Sequence, residues 1–264
     1  MTNPGSFANT SAKDDPISRG IKRTNPVGIA CFLGSRALDP FLQYGILSKG
    51  YGDSLIKLLR GTVRSQGPAL ASSLGSSWGL SPYRTALLGM SVISMLKQNI
   101  HVVAIMQEEI TPSFGFAVGA FNAVFNSINS LLFICAQTSA TRNGNESLTQ
   151  QPSLIAGAAL FALGIAIELG SETQRLVWKK HPANKGKVYD RGLFSICRHI
   201  NYFGFTLWRT GYALAAGGWA WAVVSAALNI NNFANTGVPI LQHYMEEKVS
   251  ITIAMDPPKL MTLF

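Results

Sequence analysis

Charge is what this chain has least of: Asp, Glu, Lys and Arg together make up 13% of its 264 residues. With 47% apolar residues and a mean hydropathy of +0.21, that scarcity excludes an ordinary soluble domain and points to a polytopic membrane protein. Acid is the scarcer sign, 13 residues against 22 Lys and Arg, which leaves a net charge of +9. A basic balance fits either nucleic acid or the anionic leaflet of a membrane. Here the bases sit in short loops between apolar runs with little aromatic interleaving, so membrane lipids are the expected partner and nucleic acid is not. Cysteine is nearly absent: Cys31, Cys135 and Cys197 are far apart, odd in number and without a CxxC pair. No disulfide framework or metal site is expected, and each Cys reads as a small buried hydrophobe. The stretch from Met1 to Pro26 has no apolar core, so it reads as a polar tail on the cytoplasmic or matrix side rather than a secretory signal.

The apolar residues fall into runs of helix length. At roughly 20 residues per span, the expected fold is all-α: a polytopic transmembrane helix bundle of about five to seven spans, forming one membrane domain over residues 27–264. Val27 to Leu47 contains Arg36, Asp39 and Pro40 and is either a marginal span or an interfacial helix. Ser48 to Arg64 sets Lys49, Lys57, Arg60 and Arg64 around Leu55, Ile56, Leu58 and Leu59, a pattern suited to a membrane surface. Gly67 to Pro82 reads as a loop or re-entrant element. Thr85 to Met106 is apolar at both ends, and Ser113 to Gln137 places Asn122, Asn126 and Asn129 on one face, suited to joining helices. Leu154 to Leu169 carries Ala158, Ala162 and Ala166 at four-residue spacing, a smooth face for close packing. Tyr202 to Leu228 exceeds one crossing, and Gly217-Gly218 is the expected break; Phe233 to Tyr244 is amphipathic at best.

Loop 171–200 holds Arg175, Lys179, Lys180, Lys185, Lys187, Arg191 and Arg198 against Glu172 and Asp190, so it is expected in the cytoplasm. Ser139 to Pro152, with its Asn145-Glu146-Ser147 glycosylation triplet, is then expected on the far side.

Between two apolar stretches lies Arg198-His199-Ile200-Asn201-Tyr202-Phe203-Gly204, preceded by Asn184-Lys185-Gly186-Lys187 and Arg191-Gly192-Leu193-Phe194-Ser195. Gly237-Val238-Pro239-Ile240-Leu241 and Tyr244-Met245-Glu246-Glu247 follow in order. Together, over about residues 168–248, they resemble the C-terminal region of the steroid 5-alpha-reductase superfamily, in its DUF1295 branch. The resemblance implies an endoplasmic reticulum or related membrane and an NADPH-dependent reductase of a conjugated carbon–carbon double bond in a sterol-like or other lipid substrate. It implies cofactor contacts by Glu172, Lys179 and Asn201, with Arg198 and His199 from the branch's Arg-His step and Tyr202 lining the same cavity. Bases would neutralise the cofactor's phosphates, Arg by bidentate hydrogen bonding. Two positions depart from the pattern: Phe205 stands where many members have Glu, and Lys248-Val249-Ser250 stands where a Tyr-Gly step leads into a Tyr-containing basic tail.

Outside that region, the cost of polar groups in lipid singles out Lys97, Gln98 and His101, mid-span and within about one turn, as the candidate catalytic group that polarises or protonates substrate. The same cost makes Arg209 a candidate cofactor contact, with Glu168 its candidate partner. Each has a plainer reading: bases as topology determinants, Asn201 as a helix cap, aromatics as interfacial anchors. An Arg-His-x-x-Tyr step also resembles isoprenylcysteine carboxyl methyltransferases and phospholipid methyltransferases, which bind S-adenosylmethionine at a similar membrane edge, and Glu246-Glu247 echoes their paired acids. That alternative stays open, as does a degenerate, non-catalytic relative.

Overall fold

The computed structural model describes residues 22–69, 78–141, 146–148, 150–184 and 187–255, with 247–255 by backbone alone. Most of the polar tail, Asn145 of the glycosylation triplet and Lys185 therefore lie outside the described residues. Four X-Pro steps start the long helices. Asn25 caps α1 (Pro26–Lys49) by accepting from Gly28 N at 3.0 Å, Ser81 caps α3 (Pro82–Ile100) and Thr111 caps α4 (Pro112–Ile134). Pro152 opens α5 (Pro152–Lys179) behind Gln151. Proline at the first helical position loses no hydrogen bond and arrives with the helical φ already set, so these steps mark helix starts directly in the sequence. Gly50, at φ 73°, closes α1 in the left-handed conformation that glycine adopts freely. The short α2 (Asp53–Leu58) follows, burying Ile56 and leaving Leu55 and Leu58 exposed beside Lys57.

α6 (Ile200–Asn232) is two helices. Gly218 has φ 73° and ψ −167°, and beyond it the chain runs back along itself, so that Phe233 stacks on Tyr202 at 4.4 Å and meets Phe205 edge-on at 5.4 Å. The expected break at Gly217-Gly218 is thus the turn of a helical hairpin. A wide π turn (Phe233–Gly237) leads into α7 (Val238–Met255). Among the described residues, four helical stretches are long and apolar enough to cross a membrane: Pro82–Ile105, Pro112–Ile134, Pro152–Lys179 and Ile200–Glu246. The last is doubled at Gly218, which makes five apolar lengths. The protein is an all-α polytopic helix bundle of the kind expected.

Val27 to Leu47, expected as a marginal span or an interfacial helix, forms α1, which lies lengthwise against α4 and α3 with Arg36, Asp39 and Gln43 buried. Two expectations are corrected. The packing face of α5 is not its alanine row, because Ala162 and Ala166 are exposed. Contact with α6 uses glycines instead: a Cβ on Gly157 would stand 2.6 Å from Gly211 O, and one on Gly204 would stand 2.7 Å from Glu168 N. Backbones this close leave no room for a side chain. Cys197 is exposed in the loop before α6, not buried.

The bundle has two polar ends. One gathers residues 49–69, 135–141, 146–148, 150–152 and the Gly218 turn, tied by Arg64 N to Ile134 O at 2.8 Å, Tyr83 Oη to Ala215 O at 2.6 Å and Ala140 N to Ala216 O at 3.0 Å. Arg84 and Ser81 clamp Glu146 there. The other end gathers Arg23, Glu109, the end of α5, residues 180–184 and 187–199, and Phe233. The described residues of loops 139–152 and 171–200 therefore sit at opposite ends.

Candidate active site

Polar side chains meet in two places inside this bundle. The first is midway along it, where α1, α3, α4 and α6 converge. Arg36 donates from Nε to Gln98 Oε1 at 2.6 Å and pairs with Asp39 at 3.0 Å. Asp39 also accepts from Gln43 at 2.8 Å and from Asn126 Nδ2 at 2.6 Å. Gln98 donates to Asn122 Oδ1 at 3.2 Å, and Arg209 donates to both Asn122 and Asn126. The Arg209 guanidinium lies over Trp208 at 4.6 Å, with Phe121 at 5.4 Å and Phe205 at 5.5 Å, so aromatic faces offset part of its desolvation. Only 2% of Arg209 is exposed. Two of the residues expected at the site, Gln98 and Arg209, belong to this interior network. Asn122 and Asn126 join helices as expected.

The second place is the end of α5. Glu172, 4% exposed, accepts from Asn201 Nδ2 at 2.8 Å and from Arg175. One turn earlier, Glu168 pairs with Lys97 and accepts from Trp208 Nε1 at 2.7 Å. Glu168 is therefore the partner of Lys97, not of Arg209 as expected, because the short Glu reaches across to α3 while Arg209 faces α4. At His101 α3 loosens into a wide π turn (His101–Ile105) that packs against α5. The His101 Nδ1 is enclosed and has no hydrogen-bond partner.

The described residues of loop 180–199 are held over this end by rings and by hydrogen bonds, Asn184 Nδ2 donating to Trp178 O at 2.8 Å. Trp178, Tyr189 and Phe194 pack in series, Arg175 lies 5.5 Å from the Phe194 ring, and Leu193 N donates to Gln174 Oε1 at 3.0 Å. Gly192, at φ 58°, lets the chain turn there. The loop delivers His199, whose ring stacks on Tyr202 at 5.4 Å with 7° between planes, and Tyr202 in turn stacks on Phe233. Burial, and then the neighbouring Arg198 charge, hold the His199 imidazole below its ordinary value, so the ring is neutral at pH 7. Arg198 and Lys179 are exposed at the rim.

Of the ten residues expected at the site, the structure gathers Lys97, His101, Glu172, His199, Asn201 and Tyr202 here, with Arg198 and Lys179 on the rim. Arg175, read as a loop base, Trp208, read as an interfacial aromatic, and Phe233 also belong here; Arg175 is legible as the i+3 partner of Glu172. The acid at 246 accepts from Gln242 at 3.0 Å, one turn back in α7. Among the described residues no three His, Cys, Asp or Glu converge as metal ligands would. A groove of about 630 Å³ runs between α3 and α5 from Ile93, Phe161 and Ile165 to Leu169, Thr173 and Gln174, and its walls are almost wholly apolar.

Four apolar stretches around a buried polar interior, with a charged ledge at one end, define a polytopic integral membrane protein. Residues 98–252 match the family described as a protein of unknown function, DUF1295, and the chain belongs to that family. It is also 40% identical over 240 residues to the Probable O-methyltransferase ustE of Ustilaginoidea virens, an alignment covering 89% of this chain and 84% of that protein. No solved structure matches. This relative overturns the reductase reading of the C-terminal motifs, since it is named for methyl transfer and not for reduction of a double bond. NADPH was expected only to serve that reduction, and it is not carried forward.

Proposed function

We propose that this chain is a membrane-embedded methyltransferase that uses S-adenosylmethionine to methylate an oxygen atom of an amphiphilic small molecule. The observation that supports it most is the 40% identity, across most of both chains, to a protein named as an O-methyltransferase. The Arg198-His199-x-x-Tyr202 step, which resembles that of isoprenylcysteine carboxyl methyltransferases, supports it independently. On this reading the wider likeness to steroid 5-alpha-reductases is one of scaffold.

The residues at the end of α5 suit the cofactor's chemistry. S-adenosylmethionine supplies a methyl group on a positively charged sulfur, alongside an ammonium, a carboxylate and an adenosine. The stack of His199, Tyr202 and Phe233 offers flat π faces to a cation or a base. A neutral His199 adds no repelling charge. The buried carboxylate of Glu172, held in place by Asn201 and Arg175, would attract the positive groups, while Arg198 and Lys179 at the rim would suit the carboxylate. These side chains bind and orient. The groove between α3 and α5 gives an apolar acceptor a path from the lipid. We place loop 171–200 on the cytoplasmic face of the endoplasmic reticulum, where its excess of bases and a soluble cofactor both put it.

Equilibrium binding to detergent-purified protein tests the reading. Labelled S-adenosylmethionine should bind and be displaced by S-adenosylhomocysteine, with NADPH unable to compete. Binding of NADPH with no binding of S-adenosylmethionine would falsify it.

A further inference from the structure

From the surroundings of His101 we infer that this residue takes the proton in the methyl transfer, and that the acceptor is an amphiphile carrying a neutral, weakly acidic hydroxyl, such as a phenol, rather than a carboxylate. The inference rests on the methyltransferase reading. Its first ground is position: His101 stands where α3 widens into a π turn against α5, a local distortion that is frequent at functional sites. Its second is an unspent hydrogen-bonding atom. A neutral imidazole has one donor and one acceptor, and Nδ1 is enclosed without a partner, a state that a hydroxyl ligand would relieve.

The third ground is charge. The charged groups whose fields reach His101 are Lys97 on α3 and Glu168, Glu172 and Arg175 on α5. They are already paired, Lys97 with Glu168 and Arg175 with Glu172, so their charges sum to zero. A carboxylate acceptor would add a negative charge to side chains whose charges already balance, in a poorly hydrated place. A hydroxyl brings none. Its apolar body lies in the groove between α3 and α5, whose polar end at Thr173 and Gln174 is next to Glu172 in the chain.

The step balances. The hydroxyl oxygen forms a bond to the methyl carbon as the sulfur–methyl bond breaks, with that electron pair staying on sulfur. The hydroxyl proton passes to the His101 imidazole. The positive charge lost at sulfur reappears on the ring, which Glu168 and Glu172 attract and Lys97 and Arg175 repel.

The test uses 2-dodecyl-4-nitrophenol, whose phenolate absorbs visible light, with full-length protein loaded with S-adenosylhomocysteine at pH 6. Wild-type protein should raise the phenolate band well above that of the free probe, and His101→Gln should lower the bound band at least tenfold while binding S-adenosylmethionine as wild type does. With S-adenosylmethionine, wild type should convert the probe to its methyl ether and leave hexadecanoic acid untouched. An equal band in His101→Gln, no band in wild type, or preferential methylation of hexadecanoic acid overturns the inference and leaves the methyltransferase reading standing. Should His101→Gln lose cofactor binding, His101→Ala with added imidazole decides: restoration of the band supports the inference, and its absence sinks it. Wild-type protein that binds no S-adenosylmethionine removes the underlying reading itself.

Discussion

The interior network around Asp39 and the ledge around Glu172 use the same residue types, an acid among arginines and carboxamides, yet they differ in what is left over. Around Asp39 both carboxylate oxygens, Gln43, Gln98 and the two asparagines find partners within the network, and Arg209 Nε, which has no hydrogen bond, is shut among four aromatic rings. Around Glu172 the carboxylate is satisfied, but His101 keeps an unpaired nitrogen and His199, Asn201 and Tyr202 stay half-buried beside exposed bases. A closed network fixes how helices sit; an open one can meet a ligand. Intramembrane charge alone does not tell them apart.

Breaking the closed network should cost most. Asp39→Ala leaves Arg36 and Arg209 buried without their carboxylate, and removing one member of such a group typically costs about 3–5 kcal/mol. Thermal unfolding in detergent should show a large loss of stability in Asp39→Ala, and cofactor affinity per folded molecule should be unchanged. An unfolding temperature equal to wild type would show that the network is not structural.

Next in size is the seam between α5 and α6. A side chain at Gly164 would strike the backbone of Trp208, so Gly164→Val should destabilise by about 1–3 kcal/mol, the usual range for overpacking. Gly34, which has nothing within 4 Å of an added Cβ, is the control, and Gly34→Val should be near neutral. Similar losses at both positions would mean the seam is no tighter than an ordinary lipid-facing surface.

The ledge should respond the other way round. Asn201→Ala removes the donor of a 2.8 Å hydrogen bond and Glu172→Gln removes the negative charge of its acceptor; each should weaken S-adenosylmethionine binding about tenfold or more, a change of ~1.4 kcal/mol, with a small effect on unfolding. Arg209→Gln should do the reverse. Loss of cofactor affinity in Arg209→Gln with none in Asn201→Ala would exchange the roles assigned to the two regions.

Much of this was legible beforehand, and the failures have physical reasons. Composition and run length suffice for an all-α membrane bundle, and the Gly217-Gly218 break is readable because a hairpin needs a residue at positive φ. The alanine row of α5 misled because small residues suit a lipid-facing groove as well as a helix contact, whereas the glycines at 157, 164, 204 and 211 allow the nearer approach. Gln98 and Arg209 were assigned to the site by the cost of burying them, and that cost is equally met by Asn122, Asn126 and Arg36, whose convergence depends on how four helices pack. His101, Glu172 and Asn201 lie at one end of the bundle, the end that motif and cost argument both mark. The chemistry was misread because an Arg-His-x-x-Tyr edge serves more than one cofactor.

The smallest effect concerns the ring that joins loop and ledge. An unfolded chain protonates His199 near 6.5, whereas the folded protein, through burial and then the Arg198 charge, protonates it only at lower pH. Between those two values the unfolded state binds more protons, so stability is full above pH 6.5 and falls as the pH drops toward the folded value, below which it levels off. Because His199 is half-buried, solvent screens the effect and keeps it slight. Thermal unfolding at pH 7.5 and 5.5 should show a larger drop for wild type than for His199→Gln, and Arg198→Gln should lie between them. Binding of S-adenosylmethionine should weaken over the same interval, since a protonated ring on Tyr202 repels the positive sulfur. A pH response identical in wild type and His199→Gln would place the ring in bulk water and detach it from the ledge.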